Sequence, residues 1–281
     1  MKKTIFTLVV AFCVFASVNA QDLVSKKGVP ILPEKGDYAL GIDAGVFLSY
    51  AGNLFNGNLG NAAPAFNFTA NNPLTLYGKY FVDDKTAYRL LLRIGNRSTT
   101  SKSYVIQDGQ TNPTVTKEDK WKQSEMNIAI GAGLEKRRGK GRVQGVYGAM
   151  ALIEYGTFKD VYEYGNDFTA TNVSPTSTNF GGNIIGFGPG RYTEKKQGSS
   201  FSFGVGCFAG VEYFIAPKMS IGGELGWGIN FASSGEGEDA SEDWDAVTSA
   251  VKKTTDKVAG GSALIIDTSN FGGCINFLFY F

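Results

Sequence analysis

The chain has 281 residues, with 27 lysines and arginines against 26 aspartates and glutamates, and it contains no histidine. This balance of charge gives no reason to expect a nucleic-acid partner. The lack of histidine argues against the envelope enzymes that use an imidazole as base or activator.

Residues 1–20 have the three parts of an export signal. Lys2 and Lys3 precede a short apolar run over residues 5–16, and Ala20 ends a stretch suited to cleavage. The apolar run is shorter than the roughly 20 residues that a membrane helix needs. We therefore expect an exported protein in which residues 21–36 form a periplasmic leader and residues 37–281 form one domain.

Alternation of apolar and polar residues, less regular in the second segment, predicts eight strands in that domain. The third is the clearest, because tyrosine, leucine and isoleucine alternate there with arginine and glycine. The predicted strands cover residues 37–50, 74–82, 87–97, 124–135, 142–155, 201–214, 219–231 and 271–281.

The connections between these strands alternate between short and long. Short turns fall at residues 83–85, 136–141 and 216–218, and long polar segments separate the other neighbours. This asymmetry is typical of outer-membrane barrels, in which the turns are periplasmic and the long loops are external. The predicted fold is all-β, an eight-stranded antiparallel up-and-down transmembrane β-barrel. Ten strands result if the third long loop adds a hairpin.

The two faces of the predicted strands differ in chemistry. One face is large and aromatic, and the other carries glycine, serine, asparagine and full charges. An eight-stranded barrel has room inside only for side chains, so we expect the apolar face to meet lipid and the charges to pair in the interior. We favour a structural network with Arg93 and Glu224 at its centre over a catalytic or binding constellation, and we predict no metal, cofactor or catalytic site. The interior charges by parity are Asp43, Lys79, Arg89, Arg93, Arg97, Glu125, Glu135, Glu154, Glu212 and Glu224.

Three of the long loops carry further signals. Residues 103–114 contain Asp108-Gly109, which predicts a hairpin extending the third and fourth strands. Residues 156–164 continue the pattern of the fifth strand. Residues 242–258 place apolar residues at near-helical spacing, with acidic residues leading and lysines trailing, and so predict either a short amphipathic helix or a disordered loop.

The last strand places Phe277, Phe279 and Phe281 on one face. With the strand count and the loop asymmetry, this resembles the small OmpA/OmpX-type outer-membrane barrels of Gram-negative bacteria. The resemblance implies that these phenylalanines are an assembly signal for the barrel-assembly machinery. Residues 28–37 also resemble the leading segment of outer-membrane barrels from Bacteroidetes.

Three classes of function follow from these expectations. The first is a non-enzymatic barrel that contacts outer-membrane lipid and either stabilises the envelope or presents its external loops to a protein partner. The second is a narrow pore or transport component, and the third is an enzyme that works without histidine. The interior charges disfavour an open lumen, and no carboxylate pair at a loop base signals an enzyme, so we favour the first class.

Overall fold

Alternating sequence and antiparallel pairing produce an all-β protein in the computed structural model, which describes residues 23–43, 75–185, 190–267 and 273–281. The predicted export signal and the end of the first predicted strand lie outside these residues. In the described part, no helix is long and apolar enough to cross a bilayer. The strands are β1 (Tyr38–Asp43), β2 (Leu76–Asp83), β3 (Thr86–Ile106), β4 (Thr116–Lys140), β5 (Val143–Glu163), β6 (Arg191–Lys196), β7 (Ser200–Ala216), β8 (Met219–Ser234), β9 (Gly237–Asp245), β10 (Ala250–Val258), β11 (Gly261–Asp267) and β12 (Gly273–Tyr280).

Eight of these strands close a ring of antiparallel pairs. The order is β1–β2–β3–β4–β5–β7–β8–β12, and β12 pairs again with β1. β11 pairs with the part of β8 that lies beyond its contacts with β12. Each of the eight segments predicted from alternation overlaps one strand of this ring, and the strand in the third long loop, β6, lies outside it.

At the end opposite the short turns, the longer strands extend beyond the ring, and further strands join them there in the same continuous sheet. β3 and β4 stay paired as far as Ile106 and Thr116, so the predicted hairpin extension is confirmed. β5 stops pairing with β7 at Gly156 and continues to Glu163, as predicted, pairing there with β6. β9 then pairs with β6, and β10 with β9. We call this part of the sheet the external sheet, after the orientation that the sequence predicts for the long loops: it comprises the parts of β3, β4 and β5 beyond the ring together with β6, β9 and β10.

The amphipathic helix predicted over residues 242–258 is wrong, and so is the disordered loop. This segment instead forms most of the β9–β10 hairpin. In the observed register Lys252 faces Asp243 and Lys253 faces Glu242. Acidic residues before a turn and lysines after it complement each other across a hairpin, just as they complement the dipole of a helix.

Candidate functional site

Six ionised side chains from five different strands meet inside the ring, near the short turns. Five of them are at most 6% exposed, and the side chain of Glu224 is 13% exposed. Three cations face three carboxylates, so the group is formally neutral. This lumen cluster consists of Lys79 on β2, Arg89 on β3, Glu135 and Arg137 on β4, Glu212 on β7 and Glu224 on β8.

Glu135 and Glu212 bridge the two cations at the base of the cluster. Lys79 Nζ lies 2.9 Å from Glu135 Oε2 and 2.9 Å from Glu212 Oε1. Arg137 Nη2 lies 2.7 Å from Glu212 Oε2 and 3.5 Å from Glu135 Oε1. Each of these two carboxylates therefore contacts both Lys79 and Arg137, as charges this deeply buried require.

The part of the cluster farther from the short turns is a bidentate salt bridge between Arg89 and Glu224. Arg89 donates from Nη2 to Glu224 Oε1 at 2.7 Å and from Nη1 to Oε2 at 2.9 Å. Its guanidinium also lies 4.1 Å from the centre of the Phe208 ring and 3.6 Å from a Glu135 oxygen. Paired hydrogen bonds of this kind fix orientation as well as charge.

Below the cluster, aromatic rings and the leader close the ring at its short-turn end. The Arg137 guanidinium carbon lies 4.8 Å from the centre of the Phe81 ring and 5.5 Å from that of Phe214. The Tyr280 hydroxyl donates to Glu212 Oε1 at 2.8 Å. Ile31 of the leader is 4% exposed and belongs to the apolar core that contains these three rings. We call Ile31 and the three rings the basal lid.

Two glycines on β7 and β8 make room for the buried carboxylates. Gly222 pairs with Glu212, and a Cβ on Gly222 would lie 3.0 Å from Glu212 Cγ. Gly210 pairs with Glu224, and a Cβ on Gly210 would lie 2.6 Å from Glu224 Cβ. The small residues predicted for the inner face thus have a specific role here, because each one accepts the side chain of its cross-strand partner.

The cluster contains five of the ten interior charges that the sequence predicts: Lys79, Arg89, Glu135, Glu212 and Glu224. Arg93 and Glu154 lie farther from the short turns and line a cavity of about 170 Å³ together with Arg89 and Glu224. The ion pairs of Glu135 and Glu212 lie closer to the short turns than Arg93 does, and Glu224, the other residue at the predicted centre, pairs with Arg89.

The three remaining predicted charges lie away from the cluster. Arg97 is exposed and donates from Nε to the Thr99 hydroxyl at 3.2 Å. Glu125 is half-buried and lines another cavity, of about 510 Å³. The side chain of Asp43 lies outside the described part. Sequence reasoning missed Arg137, because the fourth strand was predicted to end at Glu135, whereas the same alternation continued by two residues points Arg137 inward.

The external sheet carries a folded loop on the tip of the β3–β4 hairpin. Asn166 donates from Nδ2 to the carbonyl oxygens of Ile106 at 2.9 Å and Thr176 at 3.0 Å. The fully buried carboxylate of Asp119 accepts the backbone N–H groups of Gly165 at 2.8 Å and Thr178 at 2.7 Å. These contacts give the long loop after β5 a defined shape.

A buried arginine joins this loop to β9. Arg191 is 3% exposed, and its Nε donates to Glu242 Oε1 at 2.9 Å. Its guanidinium carbon lies 4.0 Å from the Tyr164 ring centre and 4.7 Å from that of Phe168. Burial raises the pKa of Tyr164 to about 12, so its hydroxyl stays protonated. The loop and the strands of the external sheet therefore form one packed unit.

No protein-family model matches the chain, and no curated protein matches it. Among solved structures, the chain is similar to the crystal structure of a major outer membrane protein from Thermus thermophilus, with a TM-score of 0.37 and 10% sequence identity. The match covers 88% of this chain and 99% of that one. Within the described residues, no group of three histidine, cysteine, aspartate or glutamate side chains is placed to hold a metal ion.

Lowering the pH should loosen the long loop after β5, because protonation of Asp108 weakens the hydrogen bonds that hold this loop. Asp108 Oδ2 accepts from Asn172 Nδ2 and from the Thr176 backbone N–H, both at 2.8 Å. Burial by itself raises the pKa of Asp108, but the hydrogen bonds from Thr176 and Asn172 outweigh it and hold that pKa below its ordinary value. The stabilisation is therefore complete above the ordinary aspartate pKa of about 3.9 and is lost as pH falls through the lowered value.

Hydrogen exchange in residues 166–178 should therefore accelerate as the pH is lowered from about 5 to about 3, after correction for the intrinsic pH dependence of exchange. The variant Asp108→Asn keeps an acceptor oxygen without the charge, and should remove this acceleration. Equal pH profiles for the two proteins would contradict the role given to Asp108.

Proposed function

We propose that this protein is an eight-stranded transmembrane β-barrel of the Gram-negative outer membrane that is closed inside and acts non-enzymatically through its external sheet. One observation carries the proposal: the ring buries ionised side chains and exposes apolar ones. On β3, for example, Tyr88, Leu90 and Ile94 are more than half exposed, while Arg89 between them is 3% exposed. A water-soluble ring would have the opposite polarity.

The exposed apolar side chains extend around the ring. Soluble monomers rarely expose continuous apolar patches beyond a few hundred Å², whereas membrane barrels carry an apolar band bordered by aromatic girdles. Tyrosines border the band near the short turns, and they are Tyr38, Tyr80, Tyr88, Tyr147 and Tyr213. The other exposed members include Leu40, Leu92, Ile130, Leu134, Ile153, Phe203, Val205, Val211, Leu225, Trp227, Ile229, Phe231 and Phe279.

The interior favours a loop-presenting protein over a pore. The lumen cluster and the basal lid fill the ring at its short-turn end, and opening a pathway there would separate charges whose pairing offsets their burial. The packed external sheet, in contrast, offers a defined surface on the side where long loops are external. We therefore assign its activity to contact with a protein partner, or to support of the envelope, and not to transport or catalysis.

The last strand supports assembly in that membrane. Phe279 on the outward face of β12 and Phe281, directly after that strand, are exposed, and Phe277 has the same parity. β12 pairs with β1, so this strand closes the ring. We infer that the barrel-assembly machinery recognises these phenylalanines, and that the export signal predicted over residues 1–20 delivers the chain to it.

Cys207 provides a direct test of this proposal. Its side chain is exposed on β7 within the apolar band. In vesicles made from the mature chain with Cys274→Ser, a charged maleimide should leave Cys207 unmodified, because a thiol in lipid is shielded and stays protonated. The same reagent should modify Cys207 once detergent and urea have unfolded the protein. The matched control is Gln110→Cys in a Cys207→Ser, Cys274→Ser background. It places a thiol on the exposed external turn, where the charged reagent should react rapidly. Equal rates of charged labelling at the two positions would show that the band does not face lipid.

A further inference from the structure

Four cations lie together at the short-turn end of the ring, outside the lumen cluster. Lys85 lies in the turn between β2 and β3, and Lys136, Arg138 and Lys140 lie at the end of β4. All four side chains are exposed. We call this group the basic ledge. It borders a cavity of about 1230 Å³ between the turns and the leader.

Three members of the ledge continue the outward face of the ring. Leu134, Lys136, Arg138 and Lys140 alternate with the inward Glu135 and Arg137 on β4. Successive outward side chains on a strand are about 7 Å apart. The outward face of β4 therefore changes from apolar at Leu134 to cationic at Lys136 within a single step. Tyr147, which is exposed and pairs with Lys136, stands at this boundary and also lines the cavity.

The ledge differs from the lumen cluster in its charge balance. Only two carboxylates, those of Glu34 and Asp84, line the cavity beside four exposed cations. Asp84 Oδ1 already accepts the backbone N–H of Lys35 at 3.1 Å. Within the described ranges, no ledge cation lies within 4.0 Å of a carboxylate oxygen. The site therefore keeps a net positive charge.

We propose that the basic ledge binds the phosphate of an anionic glycerophospholipid in the periplasmic leaflet of the outer membrane. This inference rests on the proposed transmembrane orientation, which places the short turns on the periplasmic side. Cations beside an aromatic girdle lie at the depth of lipid headgroups. Leu23, Val24 and Leu32 of the leader supply an apolar wall to the same cavity, which fits the glycerol and first methylenes of a lipid better than a free anion.

The test uses the full mature chain in vesicles of equal parts phosphatidylcholine and phosphatidylglycerol, with retained lipid counted by native mass spectrometry. The ledge variant combines Lys136→Gln, Arg138→Gln and Lys140→Gln. The control variant combines Lys252→Gln, Lys253→Gln and Lys257→Gln, which removes the same charge from the exposed strand β10. The unaltered protein and the control should retain phosphatidylglycerol over phosphatidylcholine by about tenfold, and the ledge variant by no more than about twofold.

The other outcomes overturn the proposal in distinguishable ways. If the ledge variant retained phosphatidylglycerol as strongly as the unaltered protein does, the lipid would not bind at the basic ledge. If soluble glycerol phosphate displaced the lipid at comparable concentration, the site would be one for a free anion. Insertion is measured separately, as protection of the ring from urea and as heat-dependent migration on gels. A chain that does not insert contradicts the transmembrane proposal and this inference together, whereas insertion without lipid enrichment contradicts this inference alone.

Discussion

Replacing Glu212 by alanine should lower the free energy of unfolding of the vesicle-inserted protein by about 3–5 kcal/mol. The carboxylate of Glu212 contacts Lys79 at 2.9 Å, Arg137 at 2.7 Å and the Tyr280 hydroxyl at 2.8 Å. Without it, three buried cations face two carboxylates, and a cation left without full compensation is far more costly than a balanced pair. Urea unfolding followed by tryptophan fluorescence measures the change.

The matched control is Glu163→Ala, at the end of β5. Glu163 pairs with Lys120 at 3.5 Å, but the two side chains are 68% and 42% exposed. Exposed pairs contribute at most about 1 kcal/mol, so this variant should unfold nearly as the unaltered protein does. Similar losses in the two variants would mean that the lumen cluster is solvated and contributes no more than a surface pair.

A compensating change keeps this prediction testable if Glu212→Ala does not fold. Arg137→Met combined with Glu212→Leu removes one cation and one carboxylate, and leaves apolar side chains near Phe81 and Phe214. Buried ion pairs exchanged for apolar groups of similar size are often neutral in stability, so the double variant should be more stable than Glu212→Ala. A double variant that is less stable would show that size, and not charge balance, governs the site.

The strands could be predicted from the sequence more closely than the partners of the interior charges, and this difference has a physical basis. Alternation is a local property, so the outward Leu90 and the inward Arg89 follow from a few neighbouring residues. Which charges meet depends on the registers of all the strand pairs that separate them around the ring. Lys79 and Glu212 are 133 residues apart, and a shift of one pair in any intervening ladder would separate them. Parity could select the inward residues, but not the level of each within the lumen.

The error over residues 242–258 has a different cause. Lys252 and Lys253 follow Asp243 and Glu242 in sequence, and this order is compatible with a helix and with a hairpin. What selects the hairpin is β6, whose Arg191 pairs with Glu242 of β9 and provides an edge for β9 to join. Such a tertiary partner lies beyond any short window of sequence, and it overrides weak local preference.

Leu92→Arg should destabilise the vesicle-inserted protein by about 2–4 kcal/mol, the cost measured for arginine on the lipid face near the bilayer midplane. Leu92 lies about half-way along the part of β3 that pairs within the ring, between Leu76 on β2 and Ile130 on β4. Its side chain is 36% exposed on the apolar band. If the band faces water instead, arginine at this exposed position should change stability by no more than about 0.5 kcal/mol.

Ile106→Arg is the matched control, because Ile106 lies on the same face of the same strand and is 49% exposed. Its position along the strand is different, since β3 has by then extended beyond the ring into the external sheet. Its arginine should meet water and leave the urea midpoint unchanged. A large loss at Leu92 with none at Ile106 would locate the outer membrane boundary between them on β3. Two small effects would instead mean that lipid does not cover the ring, and the orientation of every charge in the lumen cluster would then need another explanation.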